Sequence, residues 1–187
     1  MIQYFQHLNS IHPLSPEATD GLLKVIRAKE LRKGQVWLQE GAVCDKMTFV
    51  VKGLLKSYFE TGSKEVIMQL VAQDQWSFAA SSFFDQLPSM YSIRCVEQSI
   101  VIYICKPDVD LLLERYTELN RHFKFIAENQ VRENEAHTRL LMLSLKERYE
   151  SILAENSWMV QRGRISDRLL AAYLGMTANS LCGIKKR

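Results

Sequence analysis

Apolar and polar positions change period along the chain, and each change marks a different kind of element. Ahead of residue 30, Leu22, Leu23, Val25 and Ile26 form a stripe at helical spacing that runs to about Ala28. Ser15 is placed to cap that helix, Pro16 supplies a φ suited to the first turn, and Glu17 lies at the positive end of the helix dipole. From Glu30 to Cys105 the pattern shortens to β-branched and aromatic runs at 36–39, 47–51, 54–59, 65–71, 91–96 and 99–104. Gly34, Gly41, Gly53 and Gly62 fall between runs, where tight turns need residues free to take positive φ. Short strands punctuated in this way predict an antiparallel roll.

After Pro107 the period returns to helical, first through residues 110–116 and then over a longer stretch from about Glu118 to Met142. In the longer stretch Leu119, Phe123, Ile126, Gln130, Glu133, His137 and Leu140 recur at alternating steps of four and three. So narrow a stripe suits the seam of a parallel two-helix dimer better than a broad core face, with packing against the chain's own roll as the alternative. A further helix is expected over 144–154, followed by a polar connection over 156–163.

The last segment meets the local demands of a helix-turn-helix. Ala171 is small where two helices would cross, and Gly175 follows it by four, able to end the first helix in the left-handed conformation. Thr177 can cap the second helix, while Leu170, Leu174, Met176, Leu181 and Ile184 close the pair. Such a second helix presents its first turn to base edges while nearby Lys and Arg bind phosphates. Thr177, Asn179, Ser180, Lys185, Lys186 and Arg187 are the expected DNA-binding residues.

Charge supports this reading. The chain of 187 residues carries only +3, but residues 144–187 hold eight basic groups (Lys146, Arg148, Arg162, Arg164, Arg168, Lys185, Lys186, Arg187) against four acids, leaving −1 for the rest. A 47% apolar content suits two modest cores, and no run approaches the length of a membrane span, so a soluble cytoplasmic protein is expected. Cys44, Cys95, Cys105 and Cys182, like His7, His12, His122 and His137, lack metal-site spacing, so neither metal nor cofactor is expected. Nothing in the sequence assembles a nucleophile, a base and an orienting group, which argues against an enzyme.

Together these segments resemble the Crp/Fnr family of transcription regulators. The likeness covers nearly the whole chain and is strongest at 33–41, 49–53, 62–66, 92–97 and 170–186. It implies an α+β fold: a jelly-roll (double-stranded β-helix) effector domain of the cyclic-nucleotide-binding type over 1–117, a dimerisation helix over 118–143, and an all-α helix-turn-helix domain over 144–187. It implies a homodimer on double-stranded DNA that recruits or blocks RNA polymerase. The dimer seam would use Leu119, Phe123, Ile126, Gln130, His137 and Leu140.

The resemblance breaks at both working surfaces. Family members that bind a cyclic nucleotide use a Gly-Glu pair on the ribose and an Arg-Ser pair on the phosphate. Ser77 and Phe78 stand at the first pair here, Ser89 and Met90 at the second. An enclosed phosphate without a charge-assisted partner loses its hydration uncompensated. A pocket of Trp76, Ser77, Phe78, Ser89, Met90 and Tyr91 is therefore expected to take a small apolar ligand or none. The first 43 residues contain no cysteine, which excludes the family's iron–sulfur route. On the recognition helix Ala178, Asn179 and Gly183 replace the usual Arg, Glu and Arg, so DNA binding should be dominated by phosphates. The alternative is a ligand- or partner-binding scaffold that has lost operator binding.

Overall fold

A computed structural model describes residues 1–62, 64–155, 157–160 and 165–186. Two helices, α1 (Ile2–Ile11) and α2 (Pro16–Val25), lead into a roll of eight strands. The strands are β1 (Arg27–Leu31), β2 (Val36–Leu38), β3 (Lys46–Lys52), β4 (Leu55–Thr61), β5 (Lys64–Val71), β6 (Trp76–Ser77), β7 (Ser92–Cys95) and β8 (Ser99–Cys105). Helix α3 (Ala80–Asp85) interrupts them, and α4 (Lys106–Arg115), α5 (Leu119–Leu141), α6 (Leu145–Ala154), a 3₁₀ turn at Trp158–Val160, α7 (Asp167–Tyr173) and α8 (Ala178–Lys185) follow. Among the described residues no helix is long and apolar enough to cross a membrane.

The strands form two four-stranded sheets, ordered β1-β8-β3-β6 and β2-β7-β4-β5. In the first, β8 lies antiparallel to both β1 and β3, with Arg27 opposite Tyr103 and Thr48 opposite Tyr103. Buried Met47, Phe49, Leu55, Val71, Phe78, Ile93, Val101, Ile102 and Ile104 fill the roll. Gly53 makes the β3–β4 turn possible twice over. Its φ is +112°, and a β-carbon there would fall on the side chain of Ser99. That proximity lets the Ser99 hydroxyl accept from the Leu54 amide at 3.1 Å and donate to the Glu97 carbonyl at 2.8 Å.

The cap at Ser15 forms as expected, its hydroxyl accepting from the Ala18 amide at 3.1 Å. The helix it opens ends at Val25 rather than near Ala28, because β1 begins at Arg27. Helix α1, strands β1 and β6, and helix α3 were not anticipated. α1 seats Tyr4 and Leu8 in the core, with the Tyr4 ring edge-on to Phe49 at 5.6 Å.

By compactness the chain divides into two units, Met1–Ser57 with Leu70–Val131, and Tyr58–Gln69 with Arg132–Arg187. Strands β4 and β5 and helix α5 each contribute to both. The first unit holds the roll core, including Leu119, Phe123 and Ile126 of α5. The second has its own core of Ile152, Leu170, Ala171, Leu174 and Leu181, with Leu140 and Tyr173 packed on it.

These cores correct the expected dimer seam. Leu119, Phe123, Ile126, Gln130 and His137 are buried, and Leu140 is partly buried, within a single chain. The stripe is narrow because the chain's own elements already cover it.

Candidate nucleic-acid interface and effector region

Helix α7 starts at Ser166, whose hydroxyl accepts from the Leu169 amide at 3.2 Å, and carries Asp167 in its first turn. It closes as a Schellman motif: Gly175 has φ +64°, its amide donates to the Ala172 carbonyl at 3.1 Å, and the Met176 amide donates to Ala171 at 2.9 Å. Thr177 then caps α8, accepting from the Ser180 amide at 3.1 Å. Ala171 is 1% exposed, as a helix crossing requires. The caps and the Gly175 turn form as expected, with Leu170, Leu174 and Leu181 in the core and Met176 packed on it, while Ile184 is half-buried outside that cluster.

Arg148 fixes this turn from outside it. Its Nη1 donates to the carbonyls of Leu174 (2.8 Å) and Gly175 (3.4 Å), Nη2 to Leu141 (2.7 Å) and Nε to Leu143 (2.9 Å). One guanidinium thereby takes up the last carbonyl of α5 and the carbonyls of the C-cap and glycine that follow α7. Sequence reasoning counted Arg148 only as part of a basic tail; its partners lie on separate elements and leave no local signal.

Asn179 and Lys186 are exposed on α8 and its C-cap, together with Ala178, Cys182 and Gly183, while Ser180 is half-buried with its hydroxyl 2.9 Å from that of Thr177. A β-carbon on Gly183 would meet nothing within 4 Å. Lys185 departs from expectation: its ammonium pairs with Asp167 at 2.5 Å and lies 5.8 Å from the centre of the Tyr149 ring. It bridges α7 and α8 instead of standing free for a phosphate. Arg187, Arg162 and Arg164 lie outside the described residues.

The expected ligand residues do not converge on one space. Trp76 pairs with Phe49 across β6 and β3, and its indole N–H donates to His7 Nε2 at 3.1 Å. Its ring lies 5.7 Å from Tyr4 and 5.3 Å from Phe49, so it serves to seat α1. Burial lowers the pKa of His7 against the opposing pull of Asp74, keeping Nε2 an acceptor. Phe78 is in the core, edge-on to Phe83 and Phe84. The Ser89 hydroxyl donates to the Tyr91 carbonyl at 2.7 Å, shaping its own turn, and Met90 is 80% exposed. Tyr91 reaches the Phe78 carbonyl at 3.4 Å, and burial pushes its phenol up to about 12. Trp76, Phe78 and Tyr91 are thus taken up in packing, Ser89 in its own turn, and Met90 stands in solvent.

Two buried hydroxyls inside the roll stand out, one of them missed from sequence. The hydroxyls of Ser57 and Ser77 are buried with no hydrogen-bond partner among the described residues. Ser77 is a site expected from sequence; Ser57 on β4 carried no motif and reads as an ordinary strand residue.

Comparison with known proteins bears on both regions. Residues 28–116 match the family model of the cyclic nucleotide-binding domain. No curated protein sequence matches the chain. Among solved structures it is similar to FixK2 from Bradyrhizobium japonicum, at 16% identity and a TM-score of 0.75 over 87% of this chain and 83% of that one. It is similar to the c-di-GMP-responsive global regulator CLP of Xanthomonas campestris, at 13% identity and 0.70 over 92% and 90%. A third likeness is to the catabolite activator protein of Thermus thermophilus, at 19% identity and 0.58 over 96% and 85%.

Proposed function

We place this chain in the Crp/Fnr family and propose that it is a DNA-binding transcription regulator rather than an enzyme. The cyclic nucleotide-binding domain match and the Crp/Fnr fold of the neighbours support the family. The observation that carries DNA binding is the closed α7–α8 turn. Gly175, Thr177 and Arg148 fix α8 against α7, and α8 keeps Ala178, Asn179, Cys182 and Gly183 exposed.

Of these groups Asn179 is the base reader, since its amide can donate and accept at an adenine edge. Lys186 is the phosphate contact, and Lys185 contributes only as far as Asp167 releases it. Affinity then rests on phosphates and falls steeply with salt. A homodimer is part of this reading, and on α5 the exposed apolar side chains that could serve it are those of Phe125 and Val131. RNA polymerase is the further partner.

The effector differs from a cyclic nucleotide. Ser89 is engaged with Tyr91 and Phe78 is core, so neither grips a phosphate or ribose. The partnerless hydroxyls of Ser57 and Ser77 fit a small, mainly apolar effector with one polar group inside the roll.

An electrophoretic shift series tests the DNA reading. Binding to duplex DNA should weaken as salt rises, and Asn179→Ala should lower preference among sequences while leaving the salt slope unchanged. Binding that ignores salt, or absence of binding at low salt, refutes it and favours the scaffold reading.

A further inference from the structure

Four exposed apolar side chains gather where the connection between β6 and β7 lies against the segment between β2 and β3. Phe84 on α3 is 45% exposed, Leu87 60% and Met90 80%, and Val43 on the facing segment is 40% exposed. Single exposures of this kind are ordinary, but these four are neighbours. Val43 forms a β-bridge with Pro88. Beside it the Gly41 amide donates to the Ser89 carbonyl at 2.8 Å, and the Ser89 amide donates to the Ala42 carbonyl at 2.9 Å.

Side chains brace the same two segments. The buried Ser82 hydroxyl accepts from the Cys44 amide at 2.8 Å and donates to the Leu87 carbonyl. Gln86 Nε2 donates to the carbonyls of Phe83 at 2.7 Å and Cys44 at 3.3 Å. Phe84 itself is anchored edge-on to the core rings of Phe83, at 5.5 Å, and Phe78, at 6.1 Å. A braced backbone cannot fold these side chains away from water, and covering them with a partner costs little further ordering of this chain.

Charge indicates the kind of partner. Glu40 stands next to Gly41 and Asp85 next to Phe84; both are exposed and neither has an ion pair among the described residues. The cations nearby are already engaged. Lys46 pairs with Asp45 at 2.5 Å, while Lys106, over the Phe83 ring at 5.9 Å, pairs with Asp110 at 2.7 Å. Apolar side chains edged by free carboxylates complement a partner that carries apolar and basic groups together. Gly41, Ala42 and Ser89 spend backbone groups on one another, so the surface offers side chains more than a strand edge, which favours a helical stripe.

We propose that this braced surface docks a basic amphipathic helix of another protein. Its apolar stripe lies on Val43, Phe84, Leu87 and Met90, with Lys or Arg side chains reaching Glu40 and Asp85. Met90, unbranched and polarisable, adapts to the shape of the stripe. The surface is separate from the helix-turn-helix, and its use does not depend on DNA binding.

Fluorescence anisotropy on the full chain tests this with two labelled peptides of about 18 residues, each with leucine along one helical face, lysine elsewhere in one and glutamate in the other. The lysine peptide should bind with a micromolar Kd, and Leu87→Ser combined with Met90→Ser should weaken it about tenfold or more. Asp85→Lys should also weaken it, whereas Leu111→Ser, at an exposed position on α4, should leave it unchanged. No binding of the lysine peptide, or binding that survives the double variant, overturns the proposal. So does binding of the glutamate peptide that is as tight and as sensitive to the double variant. Should the double variant fail to fold, NMR of the native chain decides. The lysine peptide should then shift the amides of residues 41–43 and 84–91, and shifts confined to other regions sink the proposal. If the lysine peptide does not bind, self-association of the chain that the double variant abolishes assigns the surface to a second copy instead.

Discussion

Arg148 and Lys185 both belong to the basic C-terminal segment, and both are used inside the protein. Arg148 ties the ends of α5 and α7 together, and Lys185 ties α8 to Asp167 of α7. Gly175 sits beneath Arg148 in the left-handed conformation, with a β-carbon position 3.0 Å from Arg148 Nη1 and 3.1 Å from Leu141 Cδ2. Gly175→Ala should cost about 1 to 2 kcal/mol from backbone strain, before any loss of the Arg148 contacts, and chemical denaturation would measure it. Ala171, Gly175 and Thr177 could be assigned from sequence because each answers a demand within its own turn. The destination of Lys185 could not, since Asp167 lies 18 residues away and the same charge serves a phosphate equally well.

At the scale of elements, legibility follows how much of an element's cause is local. Helix α6 begins with a full capping box, Ser144 accepting from the Glu147 amide and Glu147 accepting from the Ser144 amide. The hydrogen bonds from Ser144 hold the Glu147 carboxyl below its usual pKa. Ser144→Ala should lower stability by about 1 kcal/mol, readable as a shift in denaturation midpoint at unchanged slope. Elements without such signals were overlooked. β1 exposes Arg27, Ala28, Lys29 and Glu30 and buries only Leu31, so it shows no alternation; β6 has two residues; α1 starts at Met1 with no side-chain cap. The periodicity of α5 was real, but a stripe states that a helix has a partner and not which one. The roll and the C-terminal core supplied it from within the chain.

For the whole molecule, the order of roll, long helix and helix-turn-helix was readable because turn glycines and changes of period are sequence features. The effector region was not, because whether Trp76 faces a cavity or α1 depends on a helix the sequence did not announce. That arrangement leads to a prediction for the intact chain. A ligand present at a hundred times its Kd stabilises its host by about 2.7 kcal/mol, so cyclic AMP or cyclic GMP should produce no thermal shift at concentrations of about 1 mM. Stabilisation by either at micromolar levels would overturn the assignment of Ser89 and Phe78 to the scaffold.

The β4–β5 hairpin has a bearing on how the protein is made. Residues 58–69 leave the ribosome long before residues 132–187, yet they belong to the same compact unit. During synthesis the hairpin tip must wait, unpartnered, until α5 and the helices after it have been translated. The C-terminal unit therefore cannot be completed by the C-terminal segment alone, and one cut in the chain cannot release either unit whole.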